Sequence, residues 1–189
     1  TSLVLGTSSG IHAWHNEFYI RRLRVGKNEP IYKYLLAHHP DLVQDEYFRP
    51  HDTAVIEIPQ SAPKGSIMRT ESAFDLLKRI KQVATEWVKP GHRKGSNTHN
   101  VSATVSLRKD EWDKAGKWMW DNRECYNGLA VLPYDGGSYT QAPFEDITET
   151  EFNKRVKLLS DVDLSKIIET TDETDLSGEL ACAGGSCDI

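Results

Sequence analysis

Between Val101 and Pro133 the chain spells out a strand, a helix and a second strand. Val101, Ala103, Val105 and Leu107 alternate with Ser102, Thr104 and Ser106, the period of a strand with one covered face. Asp110 then caps a helix that carries Trp112, Ala115, Gly116 and Met119 on one side. Gly128-Leu129-Ala130-Val131-Leu132 is a continuous apolar run ended by Pro133, as expected of a strand covered on both faces. Parallel neighbours need a crossover, and a helix is the usual one, so this order predicts a parallel pair and an α/β fold.

The flanking segments read less sharply. Leu3-Val4-Leu5 is a short apolar run ended by a Gly-Thr-Ser-Ser-Gly turn, a strand entered midway. A buried strand at residue 1 without an initiator Met predicts a fragment of something longer. Asn28, Glu29 and Pro30 start a short helix through Ile31, Leu35 and Leu36, which Pro40 must end. Val55-Ile56-Glu57-Ile58 reads as a strand stopped by Pro59. After Thr70, Phe74, Leu77, Ile80, Val83, Ala84, Trp87 and Val88 recur at helical spacing until Pro90-Gly91. Thr148 and Glu151 form a capping box for a helix through Phe152, Val156 and Leu159. Beyond about residue 165 the chain turns acidic and loses apolar periodicity, which predicts a mobile tail.

Composition sets the outer limits. The 189 residues carry 23 Lys+Arg against 28 Asp+Glu, a net charge of -5, and no apolar run nears the roughly 20 residues of a membrane span. A cytoplasmic protein with no membrane partner is expected. The basic cluster Arg21, Arg22, Arg24 and Lys27 sits in a negative chain without a nucleic-acid motif, so it reads as a solvated or interdomain face, with no nucleic acid as partner.

Chemistry gathers at the two ends. Cys182 and Cys187 enclose Ala-Gly-Gly-Ser, and the two glycines permit the tight loop that a disulfide requires. Such a pair on a solvated tail can exchange with a buried disulfide and then with an external reductant. The alternatives are two exposed thiols or half of a metal site. Metal is disfavoured because structural zinc pairs use a shorter spacing and two further ligands, and no His lies nearby. At the other end, Thr1-Ser2 and Gly6-Thr7-Ser8-Ser9-Gly10 offer hydroxyls and backbone N–H groups that can cradle a phosphate, although such a turn is more often only a turn. His12 and His15 lack a matching ligand cluster and read as ordinary hydrogen-bonding groups. Trp112, Trp118 and Trp120 read as core or interface, and Cys125 as an inert, partly buried thiol.

Read together, TSLVLGTSSGIHAWHNEFYIRRLRV, THNVSATVS, YNGLAVLPYDGGSYTQAPFED and the terminal CAGGSC resemble the C-terminal portion of the catalytic subunit of ribonucleotide reductases of the adenosylcobalamin-dependent, class II type. One departure is Ala13, where relatives commonly carry Pro after Ile-His. The absence of adjacent tyrosines near the tail favours the cobalamin class.

The resemblance implies that residues 1–164 are the last part of a ten-stranded α/β barrel and residues 165–189 a flexible redox tail. It implies that Thr1 and Ser2 bind the substrate's phosphates and that Cys182 and Cys187 are the thiols that re-reduce an active-site disulfide. It further implies adenosylcobalamin bound by the assembled enzyme, a ribonucleoside di- or triphosphate as substrate, and a reductant of the thioredoxin or glutaredoxin kind. The radical cysteine would belong to a separate N-terminal segment, without which this chain is inactive. The rival reading is a non-catalytic remnant or a thiol redox or interaction module.

Overall fold

The computed structural model describes residues 5–134 and 139–168. In chain order the elements are β1 (Phe18–Gly26), α1 (Pro30–His38), β2 (Val43–Asp45), β3 (Thr53–Ser61), α2 (Ala73–Val83), β4 (Thr104–Leu107), α3 (Trp112–Asp121), β5 (Ala130–Pro133), β6 (Phe144–Asp146) and α4 (Glu149–Leu159). They fall into two compact units, one of residues 1–15 and 64–136, the other of residues 16–63 and 137–189.

The first unit holds the predicted parallel pair. Thr104 lies opposite Ala130 and Leu107 opposite Pro133 in parallel register, with α3 as the crossover. Helix α2 is capped by Ser72, two residues beyond the Thr70 boundary. There the Ser72 hydroxyl accepts the Asp75 N–H at 3.2 Å and donates to the Asp75 carboxylate at 2.7 Å. Leu77 and Ile80 of α2 are wholly buried in a cluster with Ala84, Val101, Ala103, Val105, Leu107 and Ala115.

Four expectations fail in this unit. Trp87, assigned to the buried face, is 79% exposed. The helix passes through a π turn at Ala84–Val88, which inserts one residue and so rotates the residues beyond it by about 100°. The Thr85 hydroxyl, donating to the Lys81 carbonyl at 2.8 Å, occupies the ladder at that place. Strand β5 is not covered on both faces either, because Leu132 is 43% exposed. Of the run read as a strand, Leu3 and Val4 lie outside the described residues and Leu5 is helical, while the N-cap position of α3 is Glu111, not Asp110, and makes no side-chain cap bond.

The second unit is an antiparallel sheet of order β2-β3-β1-β6, most of which the sequence did not announce. Strand β1 pairs with β3 over nine residues, from Phe18 opposite Ser61 to Gly26 opposite Thr53. Pro59 does not stop β3. Strand β2 covers only Ala54 to Ile56, so among the described residues the edge beside Pro59 is open, and an open edge tolerates a residue without an N–H. Helices α1 and α4 supply apolar cover, with Leu35, Leu42 and Ile56 buried and Val25, Ile31, Tyr34 and Leu159 packed around them. The capping box holds on its first half, the Thr148 hydroxyl accepting the Glu151 N–H at 3.2 Å.

The arginines read as a solvated face are largely internal. Arg22 is opposite Glu57 in the ladder, its side chain 8% exposed and that of Glu57 5%. Arg22 Nε donates to Glu57 Oε1 at 2.8 Å, Nη2 reaches Glu145 at 2.5 Å, and Nη1 donates to the Ala142 carbonyl at 3.0 Å. The other Glu57 oxygen takes Arg155 of α4, which also binds Glu151 at 2.6 Å. Arg24 meets buried Glu46, whose second oxygen caps the N–H groups of Phe48 and Arg49 at 2.7 Å. Alternation on β1 places arginine beside carboxylates from three neighbouring segments, so the positive cluster is cross-bracing.

Candidate functional site

Thr1, Ser2, Cys182 and Cys187 all lie outside the described residues, so the site is built from the hydroxyl turn and the two ends of the parallel pair. Gly6 and Gly10 stand at φ +61 and +56, left-handed values that favour glycine. Thr7 and Ser9 are exposed, and Ser8 lines a cavity of about 210 Å³ with Gly10, Ile11, His12, Trp14, Ile67 and Arg79.

His12 ties this turn to β4. Its Nδ1 lies 2.8 Å from the Ser9 carbonyl, which can only accept, and its Nε2 takes the Thr104 N–H at 3.0 Å. The ring is therefore neutral with its hydrogen on Nδ1. Trp14 continues the tether, its N–H donating to the Ile67 carbonyl and its carbonyl accepting from Arg69, both at 2.8 Å. Arg79 on the cavity wall is not an open anion receptor. Glu71 grips it with both oxygens, at 3.1 and 2.5 Å, which raises the guanidinium's pKa, and its Nη1 also holds the Ile11 carbonyl at 3.1 Å.

Two asparagines missed by sequence reasoning clamp the same end of the pair. Asn100 Oδ1 accepts the Asn127 and Gly128 N–H groups at 3.3 and 3.2 Å, and its amide donates to the Gly128 carbonyl at 3.0 Å. Asn127 in turn donates to the Thr98 carbonyl at 2.7 Å. The signal was an Asn just before each apolar run, in THNVSATVS and YNGLAVLP. At the carboxyl ends, where α/β folds gather ligand-binding groups, Arg108 stacks over the Tyr134 ring at 5.2 Å, and Tyr134 donates its N–H to the Leu107 carbonyl at 2.8 Å. Cys125 is a half-buried thiol, with Tyr126 bonded to the Met119 carbonyl at 2.8 Å beside it. Among the described residues no group of three His, Cys, Asp or Glu is placed to hold a metal, and no helix is long and apolar enough to cross a membrane.

The resemblance read from the motifs is the one that comparison with known proteins finds. The chain is 26% identical over 188 residues to an adenosylcobalamin-dependent ribonucleoside-triphosphate reductase of Lactobacillus acidophilus, and 27% identical over 183 residues to the reductase so named in Euglena gracilis. These alignments take in 97% and 91% of this chain but only 24% and 23% of the relatives. The chain thus spans about a quarter of the length of the curated relatives it matches. A crystal structure of a B12-dependent, class II ribonucleotide reductase superposes with a TM-score of 0.68 over 88% of this chain and 22% of that one, at 21% identity. That likeness establishes the α/β fold. No family model matches the sequence.

Proposed function

We propose that this chain is the C-terminal segment of an adenosylcobalamin-dependent ribonucleotide reductase. The observation that carries the reading is the β4–β5 pair. Two parallel strands with an exposed apolar residue, Leu132, are an incomplete sheet, since parallel strands are ordinarily covered on both faces. A ten-stranded α/β barrel completed by an N-terminal segment would supply that cover, and relatives four times as long supply the precedent. The remnant reading has no such observation in its favour.

In this reading residues 1–164 close the barrel and residues 165–189 form the redox tail. Thr1 and Ser2 extend the hydroxyl turn that Gly6 and Gly10 shape, and with it they bind the phosphates of a ribonucleoside di- or triphosphate. The substrate takes up two electrons and loses its 2′ hydroxyl as water while two thiols of the N-terminal segment become a disulfide. Cys182 and Cys187 return those electrons by thiol exchange, becoming a disulfide themselves, and an external dithiol of the thioredoxin or glutaredoxin kind then reduces them. Adenosylcobalamin, when bound by the assembled enzyme, supplies the radical.

The test is ribonucleotide reduction by this chain mixed with its N-terminal counterpart, adenosylcobalamin and a dithiol, against each piece alone. Turnover in the mixture only is the expected result. A stable mixture without turnover would leave the tail as a redox module and overturn the reductase reading.

A further inference from the structure

We propose that His12 is a positioning residue that latches the Gly6–Ser9 turn to the start of β4 only while its imidazole is neutral. The inference stands on loop geometry and does not depend on the function proposed above. Both ring nitrogens are committed, Nδ1–H to the Ser9 carbonyl at 2.8 Å and the Nε2 lone pair to the Thr104 N–H at 3.0 Å. A second proton on the ring would set an N–H on Nε2 against the N–H of Thr104, and the bond to β4 would be lost while the bond to Ser9 remained.

The surroundings make the latch sensitive. The Thr104 hydroxyl is already buried without a partner among the described residues, so the start of β4 holds one unmet polar group and would then acquire another. Histidine is the side chain whose charge ordinarily changes between about pH 5 and about pH 8. Strand β4 presents no ionisable side chain, and neither does the turn. From α2 comes Arg79, which shares the cavity wall with His12, and its charge is met by Glu71 from the preceding loop. Glycines with positive φ bound the turn at both ends, and among the described residues nothing lies within 4 Å of where a Cβ would stand at either, so the released turn keeps torsional freedom. The exposed hydroxyls of Thr7 and Ser9 move with it.

The experiment is nitrogen-15 NMR of this whole chain from about pH 5 to about pH 8. At the upper end the His12 ring is expected in the Nδ1–H form. On acidification the Thr104 amide resonance should shift with the ring's own midpoint, and its exchange protection should fall roughly tenfold relative to the intrinsic rate, as for loss of one hydrogen bond. An Nε2–H ring at the upper end, or a Thr104 amide that stays still while the ring titrates, overturns the latch. His12→Gln, whose amide oxygen accepts but does not titrate, should leave the Thr104 amide insensitive to pH. A Thr104 amide that still follows the wild-type titration in that variant would also overturn it.

Discussion

Glu57 is the residue with most to lose in the antiparallel unit. It sits 5% exposed between Arg22 and Arg155, and removing its charge leaves Arg22 buried with only the outer carboxylate of Glu145. Glu57→Gln should therefore cost about 3 kcal/mol or more, while Glu145→Gln, at an exposed site, should cost less than about 1 kcal/mol. Urea denaturation of both variants checks the ordering, and equal losses would refute it. Asp52 gives a pH signature at the same scale. Its hydrogen bond from Arg49, then that from Thr53, lower its pKa from the ordinary 3.8 to about 2. A carboxylate depressed in the folded state stabilises the protein above its unfolded pKa and loses that contribution as pH falls through the folded one. Stability should thus decline between about pH 4 and about pH 2, and Asp52→Asn should flatten that slope, as denaturation at stepped pH would show.

At the scale of elements, the legible features of the sequence were periodic and local. The strand, helix and strand of residues 101–133 were readable because alternation, helical spacing and a crossover all agree on one topology. Strand β1 was opaque, because its covered positions carry arginine, whose partners Glu57 and Glu145 lie 35 and 123 residues from Arg22 and leave no local trace. The π turn was hidden for a related reason, since a Thr85 hydroxyl bonding back to Lys81 looks like any other helical Thr in sequence. Of the site, the hydroxyl turn was legible and its His12 tether was not, because the Thr104 N–H that it accepts is 92 residues distant. Caps should behave as local devices. Thr148→Ala should cost about 1 kcal/mol by loss of the bond to the Glu151 N–H. Leu77→Ala, in the wholly buried face of α2, should cost about 2–5 kcal/mol. Thermal unfolding of the two variants gives the comparison, and a cap loss as large as the core loss would contradict this division.

For the whole molecule, the predictions turn on the proposed reductase. If the proposed roles hold, Cys182→Ser or Cys187→Ser should abolish repeated turnover with a thioredoxin-type reductant yet leave a single round of reduction intact, because in that proposal those thiols act only in resetting. Equal multiple-turnover rates for variant and wild type would remove them from the cycle. Ser2→Ala should weaken nucleotide binding to the assembled enzyme by about 1 kcal/mol, and an unchanged dissociation constant would take Ser2 out of the phosphate site.

The interleaving of the two units also dictates an order of events during synthesis. Strands β1 and β3 are complete once Ser61 has been made, but β6, with Glu145, comes only after the residues of the other unit have passed. At roughly 5–20 residues per second, the interval between Pro63 and Phe144 lasts about 4 to 16 seconds. Throughout it Tyr19–Arg21 of β1 lack their β6 partners and Arg22 stands without Glu145. A ribosome pausing within residues 64–136 would prolong that exposure, so translation speed across one unit governs how long the other stands open to misassociation.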